Sequence, residues 1–157
     1  MPKSLFKLKD YEVHAVTTVF GQTSNANIAT WAMQTDMAKK CMVVALYKPD
    51  YTLELAKQSG LLNLHWLGVD FAKHLTLLGR KSGRVVNKLT KIAHEPDYRG
   101  CPILTDAIGC LHARIVNWVD AGDHELAICE VEKQTWLHPE KEVLRLNYLR
   151  EKKLVRG

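Results

Sequence analysis

Residues 121–125 read Ala121-Gly122-Asp123-His124-Glu125, a polar turn between two apolar, β-branched runs at 111–119 and 126–131. Two such runs parted by a glycine turn predict a long β-hairpin, with strands over 108–119 and 125–136. That hairpin sets the imidazole of His124 at the rim of a sheet, within reach of a substrate. Outward from it, residues 12–20 (EVHAVTTVF) alternate and are rich in β-branched side chains, so they predict a strand closed by Gly21. Residues 22–27 predict a turn-rich connection, and 28–33 a second strand. Cys41–Tyr47 is a continuous apolar run of strand length, expected to be buried on both faces. Asp50 and Gly60 bracket a helix over 51–59 as N-cap and left-handed stop. Asp70 opens a second expected helix to Leu78, with Phe71, Leu75 and Leu78 on one face and Gly79 as its end. Residues 61–67 read as a strand, 84–99 as irregular, and 143–148 as a short last strand. The sum is a mainly β chain: a closed or partly closed barrel with two or three short helices, in one domain over 1–157.

A chain of 157 residues can bury a core without disulfide staples. No apolar run approaches the roughly 20 residues that span a bilayer, so no membrane partner is expected. The basic start, Met1-Pro2-Lys3-Ser4-Leu5-Phe6-Lys7, lacks the apolar core of a signal peptide, and the expected setting is cytoplasmic. Cys41, Cys101, Cys110 and Cys129 form no Cys-x-x-Cys pair, which argues against a zinc knuckle or dithiol motif. Three of them sit in apolar runs and are expected as small buried hydrophobes. Cys101, between Gly100 and Pro102, is the one to watch for reactivity. The net charge of +5 suits either nucleic acid or an anionic cofactor. Its two basic stretches, Arg80-Lys81-Ser82-Gly83-Arg84 and Arg150-Glu151-Lys152-Lys153, carry no interleaved aromatics, which argues against nucleic acid. Absence of any Gly-x-Gly-x-x-Gly argues against a Rossmann site.

Four places carry candidate chemistry. Asn25-Ala26-Asn27-Ile28-Ala29-Thr30-Trp31 offers small polar groups and an aromatic for the edge of a flat heterocycle, or else is a polar loop before a core strand. Lys48-Pro49-Asp50-Tyr51-Thr52 is a helix start that either cradles a phosphate, with Lys48 and Thr52, or is a plain cap. The turn holding Ser82 and Arg84 is a phosphate binder or a solvated connection. His124 is a proton-handling group beside a hydride-transfer site or an ordinary turn residue. The remaining histidines lack metal-ligand spacing, and no metal site is expected.

The order of these pieces resembles the flavin reductase-like, FMN-binding split-barrel family, including flavoredoxins and short flavin reductases. The matching residues are Val16-Thr17-Thr18, Gly21, Asn25, Thr30-Trp31, Tyr51-Thr52, Ser59-Gly60, Gly79, Ser82-Gly83-Arg84 with Lys88, Gly100-x-Pro102 and Gly122-Asp123-His124. Asp36 and Lys39-Lys40 depart from the family pattern, which carries a serine and a proline pair there.

The resemblance implies a Greek-key split barrel that pairs as a homodimer and binds FMN, or sometimes FAD. It assigns Asn25, Thr30 and Trp31, with the backbone through Ala32 and Met33, to the flavin ring and ribityl chain. Lys48 and Thr52 would approach the phosphate with Ser82 and Arg84, and His124 would be catalytic, near flavin and nicotinamide. The implied activity passes electrons from NADH or NADPH through FMN to free flavin, ferric iron or a partner protein. The alternatives are a flavoredoxin-like electron carrier and a non-catalytic ligand-binding barrel.

Overall fold

The computed structural model describes residues 4–155; the first three residues of the basic start lie outside the described residues. In chain order the elements begin with β1 (His14–Phe20), β2 (Thr23–Ala29), β3 (Ala32–Gln34) and β4 (Cys41–Tyr47). They continue with α1 (Tyr51–Ser59), β5 (Leu61–Trp66), α2 (Leu75–Arg80), β6 (His94–Pro96) and β7 (Pro102–Leu104). The long hairpin β8 (Gly109–Ala121) and β9 (His124–Trp136) follows, then α3 (Leu146–Glu151). Seven strands form one antiparallel sheet in the order β2-β1-β5-β8-β9-β4-β3, and β6 pairs with β7 apart from it. The two edge strands, β2 and β3, are consecutive in the chain. The sheet therefore curls until its edges approach each other at Thr30–Trp31, where the Trp31 carbonyl accepts the Ala45 N–H at 2.8 Å.

Alternation along the strands fills two cores. Val16, Val44, Leu46, Leu62, Leu64 and Ala127 pack inside the curl. Val13, Ala15, Leu67, Phe71, Leu78 and Leu149 pack outside it, under α2 and α3. Because side chains alternate, a one-residue slip of β1 would exchange Ala15 and Val16 between the cores. Each fully buried leucine contributes about 1.5–3 kcal/mol to holding that register. The β8–β9 hairpin closes through Gly122 and Asp123, with Gly122 at φ 76°, a positive-φ position that suits glycine in a two-residue turn.

Four expectations about elements need correction. Residues 22–27 are mostly strand: their polar side chains read as a turn, but β2 pairs with β1 from Phe20↔Thr23 to His14↔Ala29. The break falls instead at Thr30–Trp31, where the chain crosses between sheet edges. In β4 only Met42, Val44 and Leu46 are fully buried, while Cys41, Val43 and Ala45 on the other face are half-buried. The second helix is a 3-10 turn over Val69–His74 followed by α2, which runs past Gly79 to Arg80. Residues 143–148 make single bridges at Val143 and Arg145 and then turn helical, because Leu144 and Leu149 both dock into the outer core.

Candidate functional site

The Thr30–Trp31 break opens a niche of about 130 Å³ in the barrel wall. The end of β2 brings Asn27, the break itself brings Thr30 and Trp31, and β4 brings Tyr47. The start of α1 adds Asp50, and the hairpin turn adds His124, which stands opposite Tyr47 in the β4–β9 register. The imidazole lies 4.8 Å from the Trp31 ring and 5.3 Å from that of Tyr47. Its Nδ1 is 2.7 Å from the Asp123 carboxylate, a contact that holds Asp123 below its usual range. A carboxylate only accepts, so Nδ1 carries the hydrogen and Nε2 stays without a protein partner.

Asn27 is buried behind this aromatic wall. Its Nδ2 donates to Asp50 Oδ2 at 2.7 Å and to the Ile28 carbonyl at 3.3 Å, while its Oδ1 has no partner. Asp50 stands at the cap position of α1 but makes no capping hydrogen bond. Burial pushes its carboxyl up, against the pull of Lys88, His124 and Arg84. The buried Lys88 ammonium donates to the Leu78 carbonyl at 2.9 Å; burial pushes it down, and Asp50 opposes that.

A second group adjoins the niche at the start of α1. Asn25 Nδ2 donates to Thr52 Oγ1 at 3.0 Å, both residues being buried. Gly83 presses on the Asn25 amide so closely that a Cβ there would collide with it. Ser82 Oγ accepts the Arg84 N–H, and the Arg84 guanidinium donates to the Pro49 carbonyl and to Glu54 at 2.9 and 2.7 Å. The structure thus joins Asn25, Thr52, Ser82 and Arg84 in one cluster, and Thr30, Trp31 and His124 in another beside it. Lys48 turns away to Asp120, 2.6 Å distant. Ala32 and Met33 line a separate apolar cavity of about 650 Å³ at the β3–β4 side, with Met42, Trp66, Leu111 and Trp136. The Asp36–Lys40 loop beyond β3 turns tightly: Asp36 Oδ1 accepts the N–H groups of Lys40 and Cys41 at 2.9 Å each, and Lys39 takes φ 61°.

Cys101, the thiol marked for reactivity, is fully buried, and burial pushes it up to about 12, so it is inert packing. Among the described residues no group of three His, Cys, Asp or Glu side chains is placed to hold a metal. Reading by sequence gave no site role to Asn27, Tyr47, Asp50 and Lys88, although Asn27 and Asp50 lie in stretches it singled out and Lys88 is among the residues of the resemblance. One signal was present: Asn25 and Asn27 are two apart, so in a strand they share a face, opposite the Ala26 and Ile28 that pack on the outer core.

Comparison with known proteins bears on this arrangement. An uncharacterised protein of Aeropyrum pernix is 25% identical over 109 residues, covering 67% of this chain and 41% of that protein. The chain thus spans less than half the length of the curated relative it matches. The FMN-binding protein from Thermus thermophilus with bound 1-cyclohex-2-enone superposes with a TM-score of 0.80 at 18% identity, over 89% of this chain and 78% of that one. The NADH:FAD oxidoreductase of Streptomyces globisporus C-1027 does so with a TM-score of 0.79 at 16% identity, over 87% and 81%. At these identities the likeness is one of fold. None of the helices among the described residues is long and apolar enough to cross a membrane. The flavin reductase like domain matches residues 10–153, nearly the whole length, and the chain belongs to that family.

Proposed function

We propose that this chain is an FMN-binding oxidoreductase, with FAD as an alternative flavin, that takes hydride from NADH or NADPH and passes electrons to free flavin, ferric iron or a partner protein. The observation that carries the reading is one opening that joins an aromatic wall, a buried acceptor without a donor, and an imidazole steered by a carboxylate. A planar ring with a polar edge fits such a place. Trp31 and Thr30 would flank that ring, and Ala32 and Met33, whose side chains line the separate cavity, would meet it only through their backbone. Asn25, Thr52, Ser82 and Arg84 would lie along the phosphate, where the free amides at the start of α1 and the Arg84 cation favour an anion. Lys48 would reach the phosphate only by leaving Asp120. When bound, the flavin supplies the hydride acceptor and the electron store. The chain's own share is to orient the reactants within roughly 3–3.5 Å and to hold the His124 ring, through Asp123, with Nε2 turned to proton handling in the niche.

The same reading includes a homodimer, supported by the apolar cavity and the exposed Met33 and Trp136 beside it. It also includes a cytoplasmic setting, with which four free cysteines are consistent. Anaerobic titration tests the reading: FMN should bind, and NADH or NADPH should bleach the bound flavin. His124→Ala should keep FMN affinity while reduction in stopped flow slows roughly 10²–10⁴-fold. Unchanged reduction in that variant removes the role of His124. Bound FMN that photoreduces but ignores both nucleotides favours the electron carrier, and no affinity for FMN overturns the proposal.

A further inference from the structure

We propose that Asn27 reads an N–H group on the bound heterocycle, its side-chain Oδ1 being a fixed acceptor that makes this residue specificity-determining. The inference rests on the flavin reading above and deepens it. Asn27 is 6% exposed and lines the niche, and its Oδ1 is a buried side-chain oxygen with no donor among the described residues. Buried acceptors are almost always satisfied, so an unanswered acceptor on a residue that lines an opening marks where a donor is missing.

The amide cannot turn to relieve itself. Both partners of Nδ2, the Asp50 carboxylate and the Ile28 carbonyl, are acceptors, and a flip would set oxygen against oxygen. Lys88, anchored on the Leu78 carbonyl, lies within the field of Asp50 and supports its charge from behind. Among the groups lining the niche, the Asp50 carboxylate and Asn27 Oδ1 accept, beside the Thr30 and Tyr47 hydroxyls, which accept or donate. The ligand edge that answers them is an amide or imide N–H on a planar ring. Two sources present that chemistry: the imide N–H of the flavin and the carboxamide of a nicotinamide.

Analogues lacking the hydrogen separate the two. Wild-type protein is titrated with FMN and with N3-methyl FMN, followed by quenching of flavin fluorescence. FMN-loaded protein is titrated with NAD and with its 3-acetylpyridine analogue, whose methyl replaces the amide NH₂, followed by tryptophan fluorescence. One analogue is expected to bind roughly 10- to 100-fold more weakly than its parent, which names the source. Asn27→Leu keeps the side-chain volume, so it abolishes a hydrogen-bond penalty but preserves a steric one. It is expected to bind parent and analogue alike, and Asn27→Val serves if the leucine variant loses its native circular dichroism. Equal binding of both pairs by the wild type, or discrimination that survives in a folded Asn27 variant, overturns the inference while leaving the flavin reading intact. Absence of any FMN affinity is a different result, and it removes both.

Discussion

Two histidine–aspartate pairs of nearly equal length stand in opposite environments. His112 Nδ1 lies 2.9 Å from Asp97, with each side chain 1% exposed. His124 Nδ1 lies 2.7 Å from Asp123, with the side chains 19% and 78% exposed. Asp97 also accepts from Asn63, from the Arg99 side chain, and from the backbone N–H groups of Arg99 and Cys101. On its far side His112 Nε2 meets Thr135 Oγ1 at 2.8 Å. Both Asp97 oxygens and both His112 ring nitrogens in that inner cluster are engaged by protein groups. The outer pair leaves Nε2 open to a niche. The same two residue types thus tie a loop to the barrel in one place and leave a ring nitrogen open in the other, and what differs is the number of partners and access to solvent.

The contrast predicts its largest effect at the inner pair. Asp97→Ala strands Arg99 and His112 without their shared carboxylate and should destabilise the fold by about 3–5 kcal/mol in urea unfolding. A loss within error of zero would erase the distinction drawn between the pairs.

Acid should act on the buried groups in two stages. Burial holds His14 and His65 neutral down to about 4, whereas an unfolded chain protonates them near 6.5. Stability is therefore complete above 6.5 and falls as pH drops towards 4, by about 1.4 kcal/mol per pH unit for each ring. For Asp97, burial pushes the carboxyl up, but His112, the Arg99 N–H and Asn63 outweigh it and hold it at about 2. Its contribution is present above 3.8 and is lost as pH falls through about 2. Urea midpoints from pH 7 to pH 2 should show both limbs, and a flat profile between 6.5 and 4 would contradict neutral burial of the histidines.

Gly83→Ala probes the buried half of the candidate site. The new Cβ meets the Asn25 amide that Thr52 holds, so a loss of about 1–3 kcal/mol in stability is expected, with weaker FMN binding. The smallest effect belongs to the outer pair. Asp123→Asn should leave the urea midpoint unchanged while slowing flavin reduction, since it releases the ring of His124 without exposing anything buried. A drop in stability like that of Asp97→Ala would show that exposure does not separate the pairs.

Much of this fold was legible from local pattern. The Gly122 hairpin, the β-branched run of β1 and the positions of Asp50 and Gly60 at the ends of α1 all report short-range preferences that the structure keeps. Where reading failed, distant contacts had overridden local composition. Asn25 and Asn27 look like turn residues because polarity alone does not say that Thr52 and Asp50 wait for them across the barrel wall. Lys48 reads locally as a free cation, and the Asp120 that the hairpin sets beside it is a partner no local pattern announces. Cys101 looks accessible beside a glycine and a proline, yet the Asp97 turn buries it against Thr17.

By itself the sequence determined the long hairpin, the strands β1, β4 and β5, the first helix and the kind of side chain on offer, because period, glycine position and cap residues act over a few neighbours. Only the tertiary structure decided which carboxylate each histidine meets, which amide oxygen goes unanswered, and which cation is already spoken for. Those outcomes depend on pairing between strands far apart in the chain, where burial and partner count, not residue type, set the role of a polar group.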